Sequence, residues 1–356
     1  MEPEAGGPRC RGRFPGAGGC DLHRWPGPRR VAGIFSAGFP SSWRRGMSSP
    51  LRVAVTETRN VFSPMPASVD RLVELSGKLN ELRAANLAHH LDLIAAAASV
   101  GVRAVGLGEL FSGPYFALEE NPLWLDLAES PTAGPTVVAM AEAAAQFGMV
   151  IVAPLFELDP QSGRRFNSAV VLDADGTNLG RYRKNHIPAG RNERASFHET
   201  FYYGPGTGAV VAPGRNLSSN PHFPVFETAV GPLGVAICYD RHFPGVMKAL
   251  ADNGARLVFS PAVTFGATSR RMWELEFAVD AARHGIFIAG SNRLGAEPPW
   301  TVEYYGGSGF WGPLGKVEPL SDLGVAPQLI IADLALGAAG SASGWDLERD
   351  ARPEIY

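Results

Sequence analysis

Cysteine is scarce in this chain: of three among 356 residues, Cys10 and Cys20 lie in a Gly/Pro/Arg-rich leader, and only Cys238 lies beyond it. Cys238 therefore has no folded partner for a structural disulfide, which fits a reducing, cytoplasmic compartment. Long apolar runs are missing too. Gly, Pro, Asn or charged residues interrupt every candidate before the roughly 20 residues that a membrane-spanning helix needs. A formal charge of −3 gives no general attraction to nucleic acid. The eight histidines have no metal-site spacing, which argues against zinc, and nothing else calls for a cofactor. The Gly-rich run Gly204-Pro-Gly-Thr-Gly208 precedes no helical pattern, so it reads as a loop and not as a phosphate cradle.

What is present suits a globular chain, with 45% hydrophobic residues to bury a substantial core. The leader stands apart. It holds eight arginines against three acids, a net +5 that leaves −8 for the rest. Arg-rich, acid-poor composition can mark an organellar transit peptide, but such peptides are Ser-rich and amphipathic, whereas this one is dominated by Gly and Pro. An upstream-extended start, with Met47 as initiator, fits better. On either reading residues 1–48 are expected to be disordered. No repeat or linker divides Leu51 from Tyr356, so residues 49–356 read as one domain.

Within that domain short apolar runs alternate with helical stretches. Strand Leu51–Thr56, helix Leu87–Val100, strand Arg103–Leu107, helix Thr136–Phe147 and strand Met149–Pro154 predict an α/β domain with covered sheets. Phe166–Leu172 and Leu179–Arg183, joined through Asp173-Ala-Asp-Gly176, read as a hairpin. Strand Pro224–Thr228 turns at Gly231-Pro232 into a buried strand that ends at Cys238. Helix Val246–Asn253, strand Arg256–Ser260, helix Ser269–Arg283 and strand Ile286–Gly290 follow, then strand pieces around Gly309 and over Gln328–Ala332.

Three strand ends point at one chemistry. Glu109, Lys184 and Cys238 each follow a predicted strand, so all three are expected at one rim of a sheet. A thiol of ordinary pKa is mostly protonated near neutrality, and a neighbouring carboxylate can take its proton during attack. Glu109 suits that role. Attack on an amide carbon makes a negative oxygen, which the Lys184 ammonium and the backbone N–H of Tyr239 would stabilise. Each residue alone has an ordinary explanation, as a packed thiol, an acid beside a helix start or a solvated strand end. Their joint occurrence favours catalysis.

These motifs resemble the nitrilase (carbon-nitrogen hydrolase) superfamily. The likeness rests on Gly108-Glu-Leu-Phe111, Tyr182-Arg-Lys-Asn-His-Ile-Pro188 and Ile237-Cys-Tyr-Asp-Arg-His-Phe-Pro244, with Ser291-Asn-Arg293, Tyr305-Gly-Gly-Ser308 and the tail from Trp345 to Tyr356. The resemblance implies a four-layer α-β-β-α sandwich, a Glu-Lys-Cys triad, and hydrolysis of non-peptide C–N bonds without metal or organic cofactor. It also implies a homodimer or larger homo-oligomer, with the C-terminal segment crossing to a neighbour. Within the superfamily the motifs look most like those of the β-ureidopropionases and N-carbamoylputrescine amidases. There a second glutamate supports the site, and Glu199 in His198-Glu-Thr-Phe-Tyr-Tyr203 stands in its place. The expected partner is a small N-carbamoyl or amide substrate; simple amide or nitrile hydrolysis would use the same triad.

Arg241, His242, Asn292 and Arg293 lie near predicted strand ends and could meet a substrate carboxylate, which a guanidinium suits. An acidic or amide-rich pocket would instead suit a substrate ammonium. Residues 210–221 look like an insertion, expected to reshape the pocket mouth or a subunit contact.

Overall fold

The computed structural model describes residues 49–208, 210–338 and 347–355, all within one compact unit. The leader, and with it the expectation of disorder over 1–48, lies outside the described residues, as does part of the tail.

In chain order the strands are β1 (Leu51–Thr56), β2 (Ala104–Gly106), β3 (Val150–Leu158), β4 (Arg165–Leu172), β5 (Asn178–Arg183), β6 (Ala189–Arg191), β7 (Ser196–His198), β8 (Val210–Val211) and β9 (Val225–Thr228). They continue as β10 (Gly231–Val235), β11 (Leu257–Pro261), β12 (Phe287–Ser291), β13 (Leu294–Ala296), β14 (Glu303–Tyr305), β15 (Gly309–Gly312), β16 (Gly315–Val317) and β17 (Leu329–Leu334). The helices that matter here are α1 (Leu79–Ser99), α2 (Pro135–Phe147), α3 (Glu199–Tyr202), α4 (Pro244–Asp252) and α5 (Ala267–His284).

Two sheets form the middle of the molecule, one in the order β17-β1-β2-β3-β4-β5-β8 and the other β16-β15-β12-β11-β10-β9. Strand periodicity assigns their faces. Val53 and Val55 of β1 point into a core shared with Val235 and Phe259 of the second sheet, whereas Ala54 points outward to Ile94 of α1 and Met140 of α2. On the far side, Trp273 and Phe277 of α5 and Met247 and Leu250 of α4 pack against the second sheet. The layers are therefore α-β-β-α. A fully buried aliphatic or aromatic side chain contributes about 1.5–3 kcal/mol, and the inter-sheet layer is built almost wholly of them. The sheets approach so closely that a Cβ on Gly106 would overlap the Phe259 ring.

Local chemistry explains most helix ends. Pro135 and Pro244 start α2 and α4, where their missing N–H costs nothing. Gly148 (φ 60°) and Gly285 (φ 62°) close α2 and α5 in the left-handed conformation that favours glycine.

Several element boundaries differ from expectation. Helix α1 begins at Leu79, eight residues before the predicted start, because its polar residues are buried by tertiary bonds that hide the apolar spacing. Arg83 donates to Asn80 (2.9 Å) and to the Leu127 carbonyl (2.9 Å), and Asn86 accepts from Val61 N–H (3.0 Å). Gly231-Pro232 lies inside β10 and not in the turn before it, since the Thr228 hydroxyl ties the turn by donating to Gly231 O (2.7 Å). The strand then ends at Val235, three residues before Cys238. Residues 210–221 do not lie at the pocket mouth. Val210 and Val211 pair with β5, Leu217 N–H donates to Val225 O of β9 (2.8 Å), and none of the segment lines the cavity at Cys238. It ties the outer strands of the two sheets together.

Candidate active site

Glu109 and Lys184 leave the first sheet after β2 and β5, while Cys238 leaves the second after β10, so the rim where they meet is formed by both sheets. Lys184 Nζ donates to Glu109 Oε1 (2.9 Å) and to Glu199 Oε2 (2.6 Å), and all three side chains are shut off from solvent. Removing such charges from water is costly, and the arrangement offsets that cost with further donors. Asn167 Nδ2 donates to Glu109 Oε1 (2.7 Å), Val263 N–H to Glu109 Oε2 (2.7 Å), and the Tyr115 hydroxyl to Glu199 Oε1 (2.8 Å).

Burial weighs most heavily against the Lys184 ammonium, but Glu109 and Glu199 together outweigh it and hold the group above its ordinary pKa. Burial raises Glu199, with Lys184 opposing and Glu109 adding. For Cys238, burial and then the charge of Glu109 push the thiol up to about 12, against the pull of Lys184 and Arg241. The resting sulfur is thus a neutral thiol. Its Sγ lies 3.6 Å from Val263 O.

Cys238 opens a short 3-10 helix, Cys238–His242, with φ 51°, a left-handed value that costs a non-glycine residue roughly 1–2 kcal/mol. Asp240 holds the turn. One of its carboxylate oxygens accepts from Ile237 N–H (2.9 Å) and the Tyr182 hydroxyl (2.7 Å); the other accepts from His186 N–H (3.1 Å) and faces His186 Nδ1 (2.7 Å). This fully buried residue pins the Cys238 turn to the segment that carries Lys184. The N–H of Tyr239 lies in the first turn, where a helix supplies no acceptor.

A cavity of about 200 Å³ opens onto Cys238, lined also by Tyr115, Tyr239, Glu199, Phe265, Ser269 and Met272, and by Asn192, Glu193 and Phe197 of the β6–β7 hairpin. Glu109 and Lys184 sit behind this wall. Thiol, carboxylate and ammonium in this order can add a sulfur nucleophile to a carbonyl while its proton moves to a fixed acceptor. Among the described residues no group of three or more His, Cys, Asp or Glu side chains could hold a metal ion, and no helix is long and apolar enough to cross a membrane.

The four residues expected to meet a substrate separate into two pairs. Arg241 and His242 line the cavity, but Glu276 engages both: Arg241 Nε at 3.2 Å and His242 Nδ1 at 2.7 Å. Arg241 also donates to Cys238 O (2.9 Å) and Ser269 Oγ (3.0 Å), so it braces the nucleophile turn. Asn292 and Arg293 do not line the cavity. Asn292 accepts from Thr264 N–H and donates to Thr264 O and Gly306 O, and Arg293 donates to main-chain carbonyls beside Glu109. Position near a strand end suggests substrate contact, but main-chain atoms engage the Asn292 amide, and three main-chain carbonyls with the Glu297 carboxylate engage the Arg293 guanidinium. Asp240, Tyr115 and Asn167 were not anticipated. Asp240 alone left a local signal, a carboxylate at the third position of a helical turn.

The carbon-nitrogen hydrolase family profile matches residues 73–343. N-carbamoylputrescine amidase of Solanum tuberosum is 33% identical over 285 residues, 76% of this chain and 88% of that protein. Beta-ureidopropionase of Arabidopsis thaliana is 32% identical over 280 residues, 74% of this chain and 64% of that protein. A crystal structure of a carbon-nitrogen hydrolase from Helicobacter pylori G27 superposes with a TM-score of 0.62 at 25% identity, covering 80% of this chain and 89% of the other. With the match spanning most of its length, this chain belongs to the carbon-nitrogen hydrolase family.

Proposed function

We propose that the protein hydrolyses an N-carbamoyl amine or N-carbamoyl-β-amino acid, with Cys238 as nucleophile. The observation that carries this reading is a single buried ammonium, Lys184, held between two carboxylates directly behind a cavity-lining thiol. Glu109 takes the Cys238 proton as sulfur bonds to the ureido carbonyl carbon. Lys184 and the Tyr239 N–H stabilise the resulting oxyanion, with Glu199 orienting Lys184. The bond to the terminal nitrogen breaks, and ammonia leaves with the proton from Glu109. Water, deprotonated by the same carboxylate, then attacks the carbamoyl thioester. The C–S bond breaks, the sulfur regains its proton from Glu109, and carbamate departs, decaying to carbon dioxide and the free amine.

The amidase and ureidopropionase relatives support the carbamoyl assignment. A homo-oligomer is part of the reading, supported by exposed Met272, Leu275 and Val279 along one face of α5. A cytoplasmic setting suits the unpaired thiol.

The test is a panel of N-carbamoyl-β-alanine, other N-carbamoyl amino acids, N-carbamoylputrescine and simple ω-amides, scored for ammonia, amine and carbon dioxide. Equal amine and ammonia with carbon dioxide supports the proposal. Ammonia without carbon dioxide, from ω-amides alone, would replace it with simple amide hydrolysis.

A further inference from the structure

Arg293 and Glu297 are buried in the stretch after β12, four residues apart, and neither lines the cavity. Their contacts converge on the loop that carries Glu109. Arg293 Nη2 donates to the main-chain oxygens of Glu109 (3.1 Å), Leu110 (3.0 Å) and Gly113 (2.9 Å), while Nη1 pairs with Glu297 Oε1. Glu297 in turn accepts from Tyr115 N–H with Oε2 (2.9 Å) and from Asn60 N–H with Oε1 (2.6 Å).

The loop needs this support. Leu110 has φ 52°, a left-handed conformation that a non-glycine side chain disfavours. Within the loop, Gly113 N–H to Leu110 O (3.2 Å) is a long bond for holding such a turn. A buried ion pair is a poor way to gain stability, since apolar residues of similar volume often serve as well or better. Donors and acceptors aimed at main-chain atoms do something an apolar pair cannot: they fix where the chain runs.

We infer that the Arg293–Glu297 pair is a positioning device for both carboxylates at Lys184. It holds Glu109 through that residue's own carbonyl and its neighbours. It holds Glu199 through Tyr115, whose N–H binds Glu297 and whose hydroxyl donates to Glu199 Oε1 (2.8 Å). One pair outside the cavity thereby sets the spacing of the two acids. The inference rests on the roles proposed above for Glu109 and Glu199.

Two variants test it: Arg293→Lys, which keeps a charge but loses the fork, and the double variant Arg293→Met/Glu297→Gln, which leaves no buried charge unpaired. Melting curves establish that each is folded. A misplaced base costs about 100-fold, so kcat is expected to fall by roughly that factor with KM little changed. The pH midpoint for alkylation of Cys238 by iodoacetamide is expected to fall as well, because the Glu109 carboxylate no longer stands fixed beside the thiol. A merely structural pair would not move that midpoint. A folded double variant with wild-type kcat and an unmoved midpoint overturns the inference. If the wild type turns over nothing in the panel, the functional reading falls, and the alkylation midpoint still decides for or against the clamp.

Discussion

Glu109 and Cys238 share the main chain of Val263: its N–H donates to Glu109 Oε2 at 2.7 Å, and its carbonyl oxygen lies 3.6 Å from Cys238 Sγ. Base and nucleophile are thus registered to a single residue that follows β11, although they come from different sheets. The charge of the base also opposes ionisation of the thiol, second only to burial. Proton transfer during attack, and not a standing thiolate, is the chemistry this arrangement favours.

Glu109→Gln separates those two effects. Burial and the Glu109 charge push the Cys238 thiol up to about 12, so removing the carboxylate charge is expected to lower its alkylation midpoint and make thiolate easier to form. Amide turnover should nevertheless fall by about 10²–10⁴, the usual contribution of a positioned base. Iodoacetamide rates against pH and ammonia release measure the two quantities. Retained turnover would remove Glu109 from the mechanism.

His90 makes a second pH prediction, this time for stability. Burial, chiefly, lowers it to about 3, helped by His89 and Arg293 and opposed by its bond to Asn86 O (2.8 Å). That carbonyl can only accept, so Nδ1 carries the proton and Nε2 faces the Thr58 hydroxyl (3.1 Å). The unfolded chain binds a proton below about 6.5 that the folded chain refuses until about 3. This contribution is therefore intact above pH 6.5 and is lost as pH falls, by up to roughly 1.4 kcal/mol per pH unit. Urea melts between pH 4 and 7 should show a shallower acid loss for His90→Gln than for the wild type. Equal slopes would contradict the assignment.

The sandwich itself is tested at Gly106. A methyl there overlaps the Phe259 ring in the opposing sheet, so Gly106→Ala should destabilise the protein by about 1–3 kcal/mol. A thermal melt that matches the wild type would mean that the sheets are not in contact at this point.

Much of this architecture could be read in advance where a residue's neighbours in the chain carry the information. The apolar run over Leu51–Thr56, the Ala/Leu-rich helical spacing of Leu87–Val100 and the motif after β5 are all local signals. Cys238 looked like the end of a strand because Ala236 and Ile237 are apolar; the chain leaves the ladder there because Asp240 turns back to bind Ile237 N–H. Arg293 shows the opposite limit. A guanidinium reaches several ångströms in any direction, and its partners, Glu109, Leu110 and Gly113, are some 180 residues away in sequence. Nothing near it in the chain told a substrate contact from a brace. The hairpins β6–β7 and β13–β14 went unseen for a simpler reason, since three-residue strands are too short to show alternation.

The central claim is that Cys238 carries the reaction, and ammonia release by Cys238→Ala tests it most directly. The account predicts no release above the uncatalysed background from a variant that melts like the wild type, because its other side chains at Lys184 remain paired. Turnover at a rate comparable with the wild type would contradict it.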